Sequence, residues 1–141
     1  MIYHPSFLVD TGMLVAFFNR GDRYHAQVYS FIKNSTSIMV TTVACITETV
    51  YLLPRYWQMQ NDLFFMLAQG IIECEHLQNQ DFTRIAELNM QYADINPNFA
   101  DLALVAISER LDVPAIATLD KDFDIYRRYR NQPFERVFFP Q

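Results

Sequence analysis

The sequence holds only three glycines, two cysteines and three histidines among its 141 residues, and each scarcity closes a route. There is no glycine-rich loop to cradle a phosphate and no motif around a nucleophilic side chain. Cys45 and Cys74 lie in apolar segments. They make neither a disulfide framework nor a zinc pattern and read as buried thiols in a reducing cytoplasm. His4, His25 and His76 show no ligand spacing and read as surface or strand-edge residues. No apolar run approaches the roughly 18 residues of a membrane span. Met1–Ser6 has no basic start and no signal-peptide form. Positive charge is short as well. The formal net charge is −5, which argues against broad electrostatic binding of nucleic acid. Any such binding would have to be local or assisted by metal ions. Repeats, low-complexity segments and linkers are absent, so residues 1–141 read as a single domain.

What is present is apolar and aromatic, at 51% and 15% of residues, enough for a sizeable core at this length. Phe7-Leu8-Val9-Asp10 reads as a buried strand ending in an acid, followed by a turn at Thr11-Gly12 and a short helix over Met13–Phe18. Tyr24, Val28, Phe31 and Ile32 recur at helical spacing. A second strand falls at Ile38-Met39-Val40, and Thr41 or Thr42 caps a helix reaching about Leu53. Gln58–Gln69 is helical, Ile71–His76 a strand, and a helix from Asn79 or Asp81 turns Phe82, Ile85, Leu88 and Tyr92 inward. Pro97 and Asn98 open an apolar helix to residue 111. Ala115–Leu119 is a strand with Asp120 at its carboxyl end, and Arg136–Phe139 a last one. This alternation is the pattern of an α/β/α sandwich, three layers around a mostly parallel sheet.

Within this pattern certain carboxylates are out of place. Asp101 shares an apolar helix face with Leu104 and Val105, and Glu48 lies among Ala44, Tyr51 and Leu52. A buried carboxylate costs several kcal/mol (about 3–5 when its partner is lost) unless it is paired, hydrogen-bonded or on a metal. Taken alone, Asp101 could be satisfied by backbone N–H groups in the first helical turn, and Glu48 could snorkel at a helix edge. Asp10 and Asp120 repeat the anomaly at strand ends, where sites form in parallel sheets. Four carboxylates from four distant segments can therefore converge, and they repel one another unless a cation binds. Mg²⁺ takes oxygen ligands of this kind. Two such ions roughly 3.5–4 Å apart can activate water and stabilise the leaving oxygen of a phosphodiester. Thr11, Thr118 and Thr47 offer hydroxyls to orient the acids.

Four blocks carry a resemblance: Leu8-Val9-Asp10-Thr11-Gly12, Thr47-Glu48, Phe99-Ala100-Asp101-Leu102-Ala103 and Ala117-Thr118-Leu119-Asp120-Lys121-Asp122-Phe123. In order and spacing they resemble the PIN-domain family, in particular its small prokaryotic VapC-type toxins. The resemblance implies an α/β/α fold, a Mg²⁺- or Mn²⁺-dependent endoribonuclease acting on RNA, usually a homodimer, and a small antitoxin protein that blocks the site. It implies Asp10, Glu48 and Asp101 as catalytic metal ligands, Asp120 as the fourth acid and Thr118 as their orienting hydroxyl. Asp120, Asp122 and Asp124 alternate in the last block, and Asp120 is preferred because it closely follows Thr118 at the strand end. Gly12 stands where many members have serine.

Arg127 and Arg128, with Arg130, could meet phosphates or form a solvated face. Tyr126, Tyr129 and Trp57 could stack bases or pack in the core. Phe17, Phe18, Tyr51, Leu52, Tyr56 and Trp57 exceed what one small core hides and predict a dimer interface. A catalytically silent PIN module that only binds nucleic acid is the alternative. A phosphatase or receiver-like acidic pocket is disfavoured, because its lysine could only be Lys121, which abuts the acidic block.

Overall fold

The computed structural model describes residues 4–141, so part of the amino-terminal reading lies outside the described residues. Strand β1 (Ser6–Val9) is followed by helices α1 (Thr11–Phe18) and α2 (His25–Lys33), strand β2 (Ile38–Thr41), helices α3 (Val43–Leu52) and α4 (Trp57–Ala68), and strand β3 (Ile72–Cys74). Helices α5 (Asn79–Gln91) and α6 (Phe99–Leu111) lead to β4 (Ala115–Ala117). A two-stranded antiparallel hairpin, β5 (Arg127–Arg128) with β6 (Gln132–Pro133), precedes β7 (Glu135–Arg136).

Five strands form one sheet in the order β3-β2-β1-β4-β7, parallel throughout. Helices cover both faces, so central strands are apolar without alternation: Phe7, Leu8, Val9, Ala115, Ile116 and Ala117 are all buried. Helix α1 packs on α2 and α3, and α5 lies along α6. The expected α/β/α sandwich is thus the observed fold. Its strand order reverses at β1, since β2 lies on one side of it and β4 on the other. A crevice forms beyond the carboxyl ends of β1 and β4, where the connections diverge.

Local chemistry sets the elements that reach this crevice. Asp10 is itself the cap of α1, accepting from the Met13 N–H at 3.2 Å. Thr11 and Gly12 are therefore the first helical residues and not a turn. Thr42 caps α3 through the Cys45 N–H. Asn98 caps α6 through the Asp101 N–H at 2.8 Å, and every residue from Ala100 through Ser108 is buried. The inward face expected of α5 holds for Ile85 and Leu88, but Phe82 is 50% exposed. It lies beside Phe99, with the two rings nearly parallel.

Candidate active site

A cleft of about 330 Å³ opens at the crevice, lined by Asp10, Thr11, Glu48, Asn98, Asp101 and Asp120 among others. All four acids singled out in the sequence line it. Asp10 comes from the end of β1, Glu48 from the middle of α3, Asp101 from the first turn of α6, and Asp120 from the segment after β4.

Each acid is held by a specific neighbour. The Thr118 hydroxyl donates to Asp10 Oδ2 at 2.5 Å and accepts from the Asp120 N–H at 2.9 Å. One buried hydroxyl thus ties two of the acids together. Thr11 donates to Glu48 Oε1 at 2.8 Å. Tyr126, wholly buried, donates to Asp101 Oδ2 at 3.3 Å. Gly12 leaves room near Asp10: a Cβ there would lie 4.0 Å from Asp10 Oδ1.

The acidic block after β4 resolves into distinct roles. One carboxylate oxygen each from Asp101, Asp120 and Asp122 lies within 4.8 Å of the others, whereas Asp124 turns away and pairs with Arg136 at 3.1 Å. Asp120 also accepts from the Asp122 N–H at 2.9 Å. Among the described residues, none of Asp10, Glu48, Asp101, Asp120 and Asp122 forms an ion pair with a lysine, arginine or histidine, since the ion pairs lie elsewhere.

Burial without a counter-charge shows in the acidities. Asp10 is pushed up to about 6, chiefly because it is buried, against the lowering effect of the Thr118 bond. Asp101 is pushed up to about 7 by burial first, then by the charges of Asp120 and Asp10, with the Tyr126 bond opposing. Burial and the Asp120 charge raise Asp122 as well. Burial and neighbouring carboxylates raise Tyr126, so its phenol stays protonated and remains a donor. The donor set is all oxygen, anionic and short of cations. That chemistry fits a hard divalent metal ion: Asp101, Asp120 and Asp122 stand closest together, and Asp10 and Glu48 line the same cleft as Asp101 and Asp120.

Several expected contributors are placed otherwise. Arg128 binds Ser108 and Asp112 at the far end of α6. Arg127 donates to the main-chain carbonyls of Asp124, Ile125 and Tyr126. Neither lines the cleft, and the side chains of both are bonded within their own chain. Tyr126 is buried and cannot stack a base. Thr47 donates to the Val43 carbonyl and not to an acid. Sequence reasoning missed Tyr126 as the partner of Asp101. No local signal marks it, because the two are 25 residues apart and meet only through the fold.

No protein-family model matches the chain. It is similar to ribonuclease VapC26 of Mycobacterium tuberculosis, at 27% identity over 116 residues, which cover 81% of this chain and 86% of that protein. Among solved structures it superposes on Mycobacterium tuberculosis VapC20, described as a toxin cleaving the sarcin-ricin loop. The TM-score is 0.76, at 18% identity, covering 84% of this chain and 93% of the other. It also superposes on VapBC2 of Rickettsia felis bound to a promoter DNA fragment, with a TM-score of 0.64 at 15% identity, over 93% and 98% of the two chains. In its parallel sheet and in these likenesses, the chain is similar to the small VapC-type ribonucleases and shares their fold.

Proposed function

We propose that the protein is a metal-dependent endoribonuclease, that it hydrolyses RNA phosphodiester bonds in the carboxylate cleft, and that it is the toxin of a toxin–antitoxin pair. The observation that carries this reading is the group of buried and half-buried carboxylates without cationic partners among the described residues, at the strand-order reversal, in a chain similar to a VapC ribonuclease.

A bound Mg²⁺ or Mn²⁺ ion would supply an activated water and charge stabilisation at the phosphate and leaving oxygen. The chain's own residues do the holding. Thr118 fixes Asp10, Thr11 fixes Glu48 and Tyr126 fixes Asp101, so the oxygens facing the cleft are set before any ligand arrives. The phenol of Tyr126 keeps its proton and donates it to one Asp101 oxygen only, leaving the other for the cleft.

Partners follow from the same reading. A small antitoxin would cover the acidic cleft; the Rickettsia felis neighbour is a VapBC2 assembly on DNA. A homodimer is supported by Tyr51, Leu52, Tyr56 and Trp57, exposed together where α3 passes into α4, with Tyr51 86% and Trp57 66% accessible. Phe18 is buried and Phe17 partly so, which narrows the patch to those four. An RNA substrate is consistent with a cytoplasmic protein, and no helix among the described residues is long and apolar enough to cross a membrane.

The test is cleavage of single-stranded RNA by purified protein with Mg²⁺, with Mn²⁺ and with chelator. Wild type should cut only with metal, and Asp101→Asn should lose activity by at least about a hundredfold. Wild type inert with both metals while still binding RNA would replace this reading with a silent binding module. Full activity in Asp101→Asn would remove that residue from the site.

A further inference from the structure

Beside the acidic cleft lies a second concavity of about 600 Å³, and Glu48 lines both. It runs along the same carboxyl edge of the sheet, between the start of α3, the segment after β3 and the first turn of α6. Its walls are mainly apolar, with Val43, Leu77, Phe82 and Phe99 prominent. Phe82 and Phe99 are 50% and 49% exposed, and their rings stand 12° from parallel with centroids 6.2 Å apart. Phe99 follows Asn98, which lines the cleft, and precedes Asp101 by two residues. The aromatic surface is thus continuous with the carboxylates.

We propose that this groove receives one unpaired base of the RNA, adjacent to the phosphate cut at the carboxylates, with Phe82 and Phe99 as its stacking surface. The inference rests on the ribonuclease reading and names how that same site selects its substrate. Three observations favour a base over other occupants. The groove contributes no lysine or arginine, so a phosphate finds no partner there. Glu75, its other acid, is bound by Arg110 at 2.8 Å, which leaves the walls apolar with little free charge. Exposed flat rings beside a phosphate-cutting centre offer a π-face that any base can use. Among the described residues the His76 ring has no hydrogen-bond partner, and it lines the groove. It supplies an available donor and acceptor for a base edge. Stacking governs how tightly the RNA sits, and His76 biases which base is preferred.

The experiment compares wild type with Phe82→Leu, Phe99→Leu and Phe99→Trp on short single-stranded RNAs, intact or carrying one abasic nucleotide at each position flanking the cut. Leucine keeps an apolar wall and removes the ring, and both positions are half-exposed, so folding is retained; melting curves and Mn²⁺ titration of each variant check this. On intact RNA the leucine variants should lose about tenfold in kcat/KM, mostly through KM, while Phe99→Trp keeps wild-type values. On RNA abasic at the one position that matters, wild type should fall to the level of the leucine variants and those variants should fall no further. Equal losses on intact and abasic RNA, or no loss at all, would overturn the inference while leaving the ribonuclease intact. Leucine variants that cut RNA normally but escape inhibition by a bound peptide would assign the groove to a protein partner and also overturn it. A wild type that cuts no RNA removes the ribonuclease reading itself, and the inference with it.

Discussion

Asp10 and Asp101 have raised pKa values, and so are weakened acids, for the same reason, burial among other acids with no cation nearby. In the metal-free protein the neutral form is favoured on folding, so these groups stabilise the fold below the ordinary carboxylate range, near pH 4. That contribution is lost as pH rises through about 6 for Asp10 and about 7 for Asp101. Asp101→Asn mimics the neutral form at every pH. With chelator present it should therefore raise the melting temperature more at pH 8 than at pH 5. Metal reverses the order, because the ions require the ionised acids. If the variant's advantage is the same at both pH values, Asp101 is not the strained carboxylate described. Tyr126 offers a finer test. Its hydroxyl bond lowers the pKa of Asp101, so Tyr126→Phe should move the acidic limb of the pH–activity profile to higher pH. The ring remains packed against Tyr92 and Phe123, and the melting temperature should change little. An unshifted profile would make Tyr126 a packing residue only.

At the scale of elements, two helix starts and the middle of α3 bring side chains to one crevice. Asp10 and Asn98 cap α1 and α6, and these caps set where the first turns lie relative to the sheet. Asn98→Ala should cost about 1 kcal/mol of stability. Because Asn98 also lines the cleft, it should weaken Mn²⁺ binding as well, measured by calorimetry. Asn98→Ser should restore stability, since serine caps about as well. A stable Ala variant with unchanged metal affinity would show that the cap does not position Asp101. The carboxyl end of α6 is fastened separately. Arg110 binds Glu75, Asp81 and the His76 carbonyl, and Arg84 grips Glu109 through two bonds of 2.8 and 2.9 Å. Arg128 binds Ser108. Of the arginines read in the sequence as a possible phosphate contact, Arg128 is thus also a fastener of this helix.

For the whole molecule, the metal binding proposed at the acidic crevice would make the fold responsive to metal. The acids repel one another in the free protein, and an ion that binds only the folded state stabilises it by mass action. Mn²⁺ at a hundredfold excess over its dissociation constant should add about 2.7 kcal/mol of stability, read as a rise in melting temperature. Asp101→Asn should rise less. An equal rise in both proteins would place the ion elsewhere. The exposed Tyr51, Leu52, Tyr56 and Trp57 belong to this scale too. Tyr51→Glu with Trp57→Glu should convert a sedimenting dimer to monomer without loss of helix content; a wild type already monomeric at high micromolar concentration would remove the proposed interface.

The order of strands and helices was legible in the linear pattern of this chain. Apolar runs such as Phe7–Val9 and Ala115–Ala117, bounded by caps and turn residues, carry the periodicity that local backbone geometry imposes. The acids were legible as well, because a carboxylate such as Asp101 within an apolar helix violates the rule that charge stays in water. What those residues touch was not legible. Tyr126 reaches Asp101 across 25 residues and Thr118 reaches Asp10 across 108, and no periodic signal spans such separations. Nor could the alternation of Asp120, Asp122 and Asp124 be resolved along the chain. The short 3₁₀ turn over Lys121–Asp124 turns Asp122 toward Asp101 and hands Asp124 to Arg136. Phe82 reads as a core position by its spacing, yet it stands half-exposed beside Phe99, because helical period identifies a face and only packing decides how much of it is covered.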